Sequence, residues 1–134
     1  TPWGTPASVP AIGRNTITAL LEHCLLLEEW TPSGGGGGGK SFNFWDTNRR
    51  VWRQVWTAVD GGSLDYEGQF AESAMRFHGW TVNPSGKRVM QKLTFFRISA
   101  DTVRQLFEAS EDGGATWRNT FDGRYVKVRT SPGR

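Results

Sequence analysis

Residues 51–63 decide the fold class. They read VWRQVWTAV at 51–59, in which every second residue differs in character from its neighbours, and then DGGS at 60–63. In an extended chain this alternation places Trp52, Gln54 and Trp56 on one face and Arg53 on the other. The Asp-Gly-Gly-Ser sequence that follows is a strong turn signal. A strand that ends in a tight turn predicts a β-hairpin, with the Trp row facing the interior and the guanidinium facing outward.

Segments of the same kind occupy the rest of the chain on both sides of this hairpin. Turn signals recur after about 8–12 residues, as is typical of all-β domains. They separate runs rich in aromatic and β-branched residues, which predict strands at 23–30, 64–72, 74–82, 89–99, 102–110, 117–121 and 124–129. Consecutive hairpins form an antiparallel meander, and a long meander usually closes to remove its edges. We expect an all-β antiparallel barrel of eight to nine strands.

Composition narrows the class of protein. The chain has 134 residues, enough for one domain, with 13% aromatic residues and 17 glycines. Its net charge of +3 is not concentrated in one segment, which predicts no nucleic-acid partner. No apolar run approaches the roughly 18 residues of a membrane span. Cys24 is the only cysteine, so an internal disulfide and a multi-cysteine zinc site are excluded.

The first residues differ in composition from the remainder. Residues 1–14 contain three of the six prolines and predict an irregular arm, whereas residues 15–134 are predicted to form a single β-barrel domain. The chain contains no signal-peptide pattern. This favours a cytoplasmic location, with a processed secreted form as the alternative.

A glycine tract at residues 34–39 continues into Lys40 and Ser41 and thereby matches the phosphate-loop pattern GxxxxGKS. The mechanism of that motif requires a strand before the loop and a helix after it. The following residues, FNFWD at 42–46, alternate as a strand does. We therefore interpret the tract as a hairpin loop and not as a nucleotide site.

Residues 110–117, SEDGGATW, match S-x-D-x-G-x-T-W, the Asp box known from sialidases and other β-proteins. Asp112 can accept backbone hydrogen bonds within such a turn, and Trp117 can cover the base of the hairpin. The motif predicts a structural hairpin without catalytic function. A sugar-contacting role is the alternative interpretation.

A wider resemblance rests on six segments: residues 21–31 (LEHCLLLEEWT), 39–46 (GKSFNFWD), 52–56 (WRQVW), 61–68 (GGSLDYEG), 103–117 and 121–125 (FDGRY). Over residues 15–129 the chain resembles an uncharacterised bacterial family, a domain of unknown function near the calycins, which are lipocalin-like barrels. The resemblance implies a calycin-like antiparallel barrel without an established activity. Such chains usually open with an F-W-x-G-x-W strand, of which only Trp3-Gly4 is present. An incomplete first strand would leave an edge for a second subunit, as in a homodimer.

The interior of such a barrel is predicted to bind a small molecule. Aromatic walls with a few oriented polar groups are typical of ligand pockets. We expect the lumen to be lined by Trp52, Gln54, Trp56, Tyr66, His78, Gln105 and Phe107. The expected ligand is a small apolar or aromatic molecule, with no cofactor and no metal.

Two other functions remain open. An isomerase, cyclase or hydrolase would use His78 as a general base in the same pocket, with Glu67, Glu72 or Glu108 as its partner. A lone histidine on a strand is more often structural, and the sequence contains no metal-ligand motif. A carbohydrate-binding module would instead present Trp45 or Trp80 as a flat exposed platform.

Overall fold

Residues 13–128 form one antiparallel sheet of nine strands that curls into a half-barrel. A computed structural model describes residues 13–128, in which no helix occurs. The strands are β1 (Gly13–Leu20), β2 (Leu25–Pro32), β3 (Gly39–Asp46), β4 (Val51–Ala58), β5 (Ser63–Ala71), β6 (Ala74–Val82), β7 (Arg88–Arg97), β8 (Thr102–Ser110) and β9 (Arg118–Val126). Each strand pairs with the next one in the chain. This confirms the predicted all-β antiparallel meander.

The two ends of the sheet are β1 and β9. Within residues 13–128, neither strand has a partner on its outer side. Strand β1 begins at Gly13, so residues 13 and 14 belong to the sheet and not to the predicted arm. The rest of that arm, and residues 129–134, lie outside the described residues.

The β1–β2 connection shortens the strand predicted from residue 23. Leu21, Glu22 and His23 have φ angles of 49°, 55° and 70°. These angles belong to the left-handed region, which a pleated strand does not adopt. Strand β2 therefore begins at Leu25.

The glycine tract connects β2 and β3 as a hairpin loop, as predicted. Lys40 and Ser41 lie inside β3 and not at the start of a helix. The Lys40 ammonium lies 3.3 Å from the Glu29 carboxylate, and the Ser41 hydroxyl donates to Glu28 over 2.9 Å. Both side chains are thus engaged within the sheet.

The strands predicted at 117–121 and 124–129 leave Asp122 and Gly123 as a turn between them, and this is wrong, because β9 runs through both residues. Arg104 Nε and Nη2 on β8 each lie 2.8 Å from an Asp122 carboxylate oxygen, which holds this aspartate against the sheet. A Cβ atom on Gly123 would lie 2.5 Å from the Phe121 ring. The glycine is required by ring packing, which sequence alone does not distinguish from a turn.

The apolar core lies on the concave face of β5–β9. Its buried members are Tyr66, Phe77, Leu93, Phe107 and Phe121. The Phe107 ring centroid lies 6.4 Å from that of Tyr66 and 6.0 Å from that of Phe121. Burial raises the pKa of Tyr66, whose hydroxyl donates to Gln91 Oε1 over 2.5 Å.

The loop between β8 and β9 is organised around Asp112. Its Oδ1 accepts hydrogen bonds from the Thr116 amide at 2.9 Å and the Ser110 hydroxyl at 2.7 Å, and its Oδ2 accepts one from the Thr116 hydroxyl. Together these bonds, those from Thr116 first, hold the pKa of Asp112 well below its usual range. The Trp117 indole donates to the Gly114 carbonyl over 3.1 Å. All of these bonds are local, in agreement with a structural role.

Candidate functional site

A pocket opens on the concave face where the curl of the sheet brings β2 opposite β8 and β9. It is lined by Glu28, Trp30, Gln54, Trp56, Leu64, Gln105, Phe107, Phe121 and Tyr125. Its volume is about 450 Å³, which includes the open mouth. A bound molecule would therefore leave part of its surface at the mouth.

Glycines on neighbouring strands position the two indoles of the pocket. A Cβ atom on Gly39 would lie 2.5 Å from the Trp56 ring, and one on Gly13 would lie 3.0 Å from the Trp30 ring. Each indole therefore lies flat across a strand that lacks a side chain at that point. A side chain at either glycine would displace the indole that it faces.

A chain of hydrogen bonds crosses four strands and ends at Glu28. Gln54 Nε2 on β4 donates to Asn43 Oδ1 over 2.8 Å, and Asn43 Nδ2 donates to the Ser41 hydroxyl over 2.8 Å. Ser41 in turn donates to Glu28 Oε1, and Asn15 Nδ2 on β1 donates to Glu28 Oε2 over 2.8 Å. Every donor in the chain is neutral and points towards the carboxylate. The Glu28 carboxylate is therefore the final acceptor of the network.

Glu28 is a buried carboxylate without a basic partner. The residue is 7% exposed, and no Lys, Arg or His forms an ion pair with it among residues 13–128. Burying a charge is costly unless it is paired and hydrogen-bonded. The two neutral donors from Asn15 and Ser41 compensate only part of that cost.

The amide of Gln105 is a polar group at the pocket wall. This residue is 7% exposed and lines the pocket, and within the described part of the chain its side chain makes no hydrogen bond. Among residues 13–128 the one buried side-chain atom without a partner is Asn15 Oδ1, so the amide atoms of Gln105 are open to the pocket. Gln54 lines the same pocket and uses only its amide nitrogen in the chain described above. Two glutamine side chains thus retain hydrogen-bonding capacity at one pocket.

Tyr125 closes the pocket on the β9 side. Burial first, and then the negative charge of Glu28, raise the pKa of this phenol to about 12, against the opposing effect of a hydrogen bond with Trp30. The phenol is therefore neutral at physiological pH. It adds one hydroxyl that can donate or accept.

The structure places six of the seven predicted lumen residues on the concave side, in three groups. Gln54, Trp56, Gln105 and Phe107 line the pocket, as expected. Tyr66 points to the same face but is fully buried in the core. Trp52 lies at the rim, 37% exposed, with its ring in edge contact with Trp45 at 5.6 Å.

The placement of His78 in the lumen is wrong. It lies on the convex face, with its side chain 63% exposed and its Nε2 4.0 Å from a Glu67 carboxylate oxygen. The neighbouring residue on β6, Phe77, occupies the concave side. Because a sheet separates His78 from the pocket, the two do not form one active site. Arg53 also lies on the convex side, where it donates to Asp65 over 2.8 Å, as its predicted outward position requires.

The exposed tryptophans do not form a flat platform. The rings of Trp45 and Trp52 meet at 66°. Trp80 on the convex face is covered by the Arg88 guanidinium, 4.0 Å from the ring centroid. Sugar stacking needs an open ring face, so neither site matches the geometry expected of a carbohydrate-binding surface.

Sequence reasoning missed five pocket residues, namely Glu28, Trp30, Leu64, Phe121 and Tyr125. Glu28 and Trp30 are two residues apart on β2 and therefore share a face. A signal is present in the sequence, since a polar residue beside a tryptophan on one strand face is also the pattern of Gln54. The predicted strand at 23–30 contains apolar residues at both alternating sets of positions, so its pattern does not show which face turns inward.

The described residues contain no group of three or more His, Cys, Asp or Glu side chains that could hold a metal ion. In the same part of the chain no helix is long and apolar enough to cross a membrane.

Comparisons of the chain with protein-family models, with curated proteins and with solved structures found no match. The resemblance to calycin-like barrels stays a prediction.

Proposed function

We propose that this protein binds a small molecule in the pocket between β2, β4, β8 and β9, and that its aromatic walls provide most of the contact area. The observation that carries the proposal is the Gln105 amide, which opens to the pocket and has no hydrogen-bond partner among residues 13–128. A ligand that bonds this amide would take the place of the water that otherwise solvates it.

The composition of the pocket supports the same function. Its walls are mostly aromatic or aliphatic, and three of its members, Glu28, Gln54 and Gln105, carry polar groups that can orient a ligand. This combination of apolar walls and few polar groups is typical of small-molecule sites. The calycin-like resemblance points to the same kind of interior, although it rests on sequence motifs alone.

The geometry gives less support to catalysis. An enzyme that used His78 with a carboxylate in this pocket would need the imidazole on the concave side, and His78 lies on the convex side. General bases act within hydrogen-bonding reach of their substrate. We therefore favour binding over turnover.

The test uses the tryptophans as internal reporters. A panel of small aromatic compounds is added to the ¹⁵N-labelled protein, and the indole N–H signals are followed by NMR. We expect shifts for Trp30 and Trp56, which line the pocket, and none for Trp80 and Trp117 on the convex side. Shifts confined to the convex-side indoles, or none with any compound, would contradict the proposal.

A variant pair links the binding to the Gln105 amide. Gln105→Leu should weaken the binding of any compound that bonds the amide by about tenfold, which corresponds to one lost hydrogen bond. Gln69→Leu is the matched control, because Gln69 is exposed on β5 and donates only to the Arg50 carbonyl. Equal affinities for both variants would show that the amide does not contact the ligand.

A further inference from the structure

We propose that the concave pocket is selective for small organic cations, specifically protonated primary amines with an aromatic or apolar body. This inference rests on the proposed function and names the ligand class for the same pocket. It is carried by the juxtaposition of the buried Glu28 carboxylate, an aromatic wall and the unpartnered Gln105 amide.

The charge of Glu28 is the first argument. Within residues 13–128 its only hydrogen-bond partners are the neutral side chains of Asn15 and Ser41, one on each oxygen. Each carboxylate oxygen has two acceptor positions, so half of the capacity of this group remains. A buried carboxylate is stabilised best by an opposite charge, which a ligand ammonium would supply.

The aromatic rings provide the second argument. The faces of indole and phenol rings attract cations, and on the convex side the protein covers such rings with its own cations. There the Lys92 ammonium lies 3.8 Å from the Trp117 centroid, and Arg88 covers Trp80. The described pocket lining contains Trp30, Trp56 and Tyr125 but no Lys or Arg. The contrast leaves the pocket rings free to receive a cation from a ligand.

The remaining polar groups favour a primary amine over other ligands. Gln54 uses its Nε2 to reach Asn43, which leaves its carbonyl oxygen as an acceptor. Together with Glu28 and the Gln105 carbonyl oxygen, the pocket therefore presents several acceptors, and an ammonium group carries three donors. An anion would instead face the charge of Glu28 with no basic side chain in the described lining to offset it.

The experiment compares three ligands of one shape, benzylamine, benzyl alcohol and benzoate, by titration against the Trp30 and Trp56 indole signals. We expect benzylamine to bind about tenfold more tightly than benzyl alcohol, and benzoate to bind more weakly than either. In Glu28→Gln the preference for the amine over the alcohol should fall to about twofold or less. The alcohol affinity should change little.

Glu29→Gln is the matched control. Glu29 is the next residue on β2 and carries the same charge, but it faces the other side of the sheet, 3.3 Å from the Lys40 ammonium. This variant should keep the tenfold preference. A nonspecific effect of net charge would lower the preference in both variants, and that result would overturn the inference.

The outcomes separate this inference from the proposed function. If the amine and the alcohol bind equally, or if Glu28→Gln keeps the preference, the cation inference is overturned while the pocket remains a binding site. If no compound of the wider panel shifts Trp30 or Trp56, both are overturned. Should Glu28→Gln fail to fold, Glu28→Asp, which keeps the charge, must retain the preference, and the ligand comparison on the unmodified protein decides the case.

Discussion

The concave face is filled in two different ways along one sheet. In the half formed by β5–β9, the buried side chains on the concave face are apolar except for Gln105, and they pack around Tyr66 and Leu93. In the half formed by β1–β4, the buried positions hold Glu28, Ser41 and Gln54, which are joined by hydrogen bonds. The same curvature thus encloses a core on one side and a polar network on the other.

The two halves contribute differently to stability. Burying an apolar side chain of the size of Leu or Phe stabilises a fold by about 1.5–3 kcal/mol. A buried hydrogen bond contributes only about 0.5–1.5 kcal/mol net, and breaking one costs more than forming it gains. A sheet selected for stability alone would extend the apolar packing into β1–β4. The polar half therefore indicates a site, and the apolar half indicates the scaffold that holds it.

The largest expected effect comes from the apolar half. Leu93→Ala should lower the free energy of unfolding by about 2–5 kcal/mol, because the fully buried side chain leaves a cavity in the core. Urea unfolding measures this change. Leu21→Ala is the matched control, since Leu21 is 72% exposed in the β1–β2 turn and should change stability little. Equal losses in both variants would show that the core is not where the structure places it.

A smaller effect is expected from the polar half. Gln54→Leu removes the amide that donates to Asn43, leaves Asn43 Oδ1 without that donor and should cost about 1–3 kcal/mol. The exposed Gln69→Leu should cost less than about 1 kcal/mol. Urea unfolding of both variants compares them directly. A stabilised Gln54→Leu would mean that the network opposes folding and is retained for binding alone.

The sequence predicted which residues share a face more reliably than which face is concave. Period-two alternation is a property of the strand itself, and it correctly grouped Gln54 with Trp56 and Gln105 with Phe107. The choice between faces depends on the register between strands. Tyr66 pairs with Gly79, whereas Glu67 pairs with His78, and this register carries the imidazole to the convex side. No local pattern in β6 reveals that pairing.

Long-range contacts explain the other differences. Asp122-Gly123 has the composition of a turn, but Arg104 on β8 holds Asp122 in an extended strand. Trp30 and Tyr125 enter one pocket only because the curl brings β2 opposite β9, and residues so far apart in the chain carry no shared local signal. The hairpin order of the strands, by contrast, follows from local turn chemistry, which explains why it was predicted correctly.

The Asp112 loop lies outside both halves. A substitution there tests whether the Asp112 carboxylate stabilises the hairpin of β8 and β9. The pKa of Asp112 is depressed in the folded protein, so its contribution to stability is complete above its unfolded pKa of about 4 and is lost as the pH falls below that value. Asp112→Asn should lower the melting temperature at pH 7, and the difference from the unmodified protein should shrink between pH 5 and pH 3. Thermal unfolding over this pH range measures it. A difference that is independent of pH would exclude the carboxylate charge as its cause.

The smallest effect is expected on the convex face, where carboxylates have partners that Glu28 lacks. Arg104 and Asp122 form a two-pronged ion pair, but their side chains are 38% and 35% exposed, so water screens the attraction. A double-mutant cycle with Arg104→Ala and Asp122→Ala should give a coupling free energy of about 0.2–1 kcal/mol, which decreases when salt is added. Coupling well above this range would mean that the pair locks the register of β9 against β8. In that case the ion pair on the outer surface of the sheet, and not the packing of Phe121, would mainly fix the position of β9 in the pocket wall.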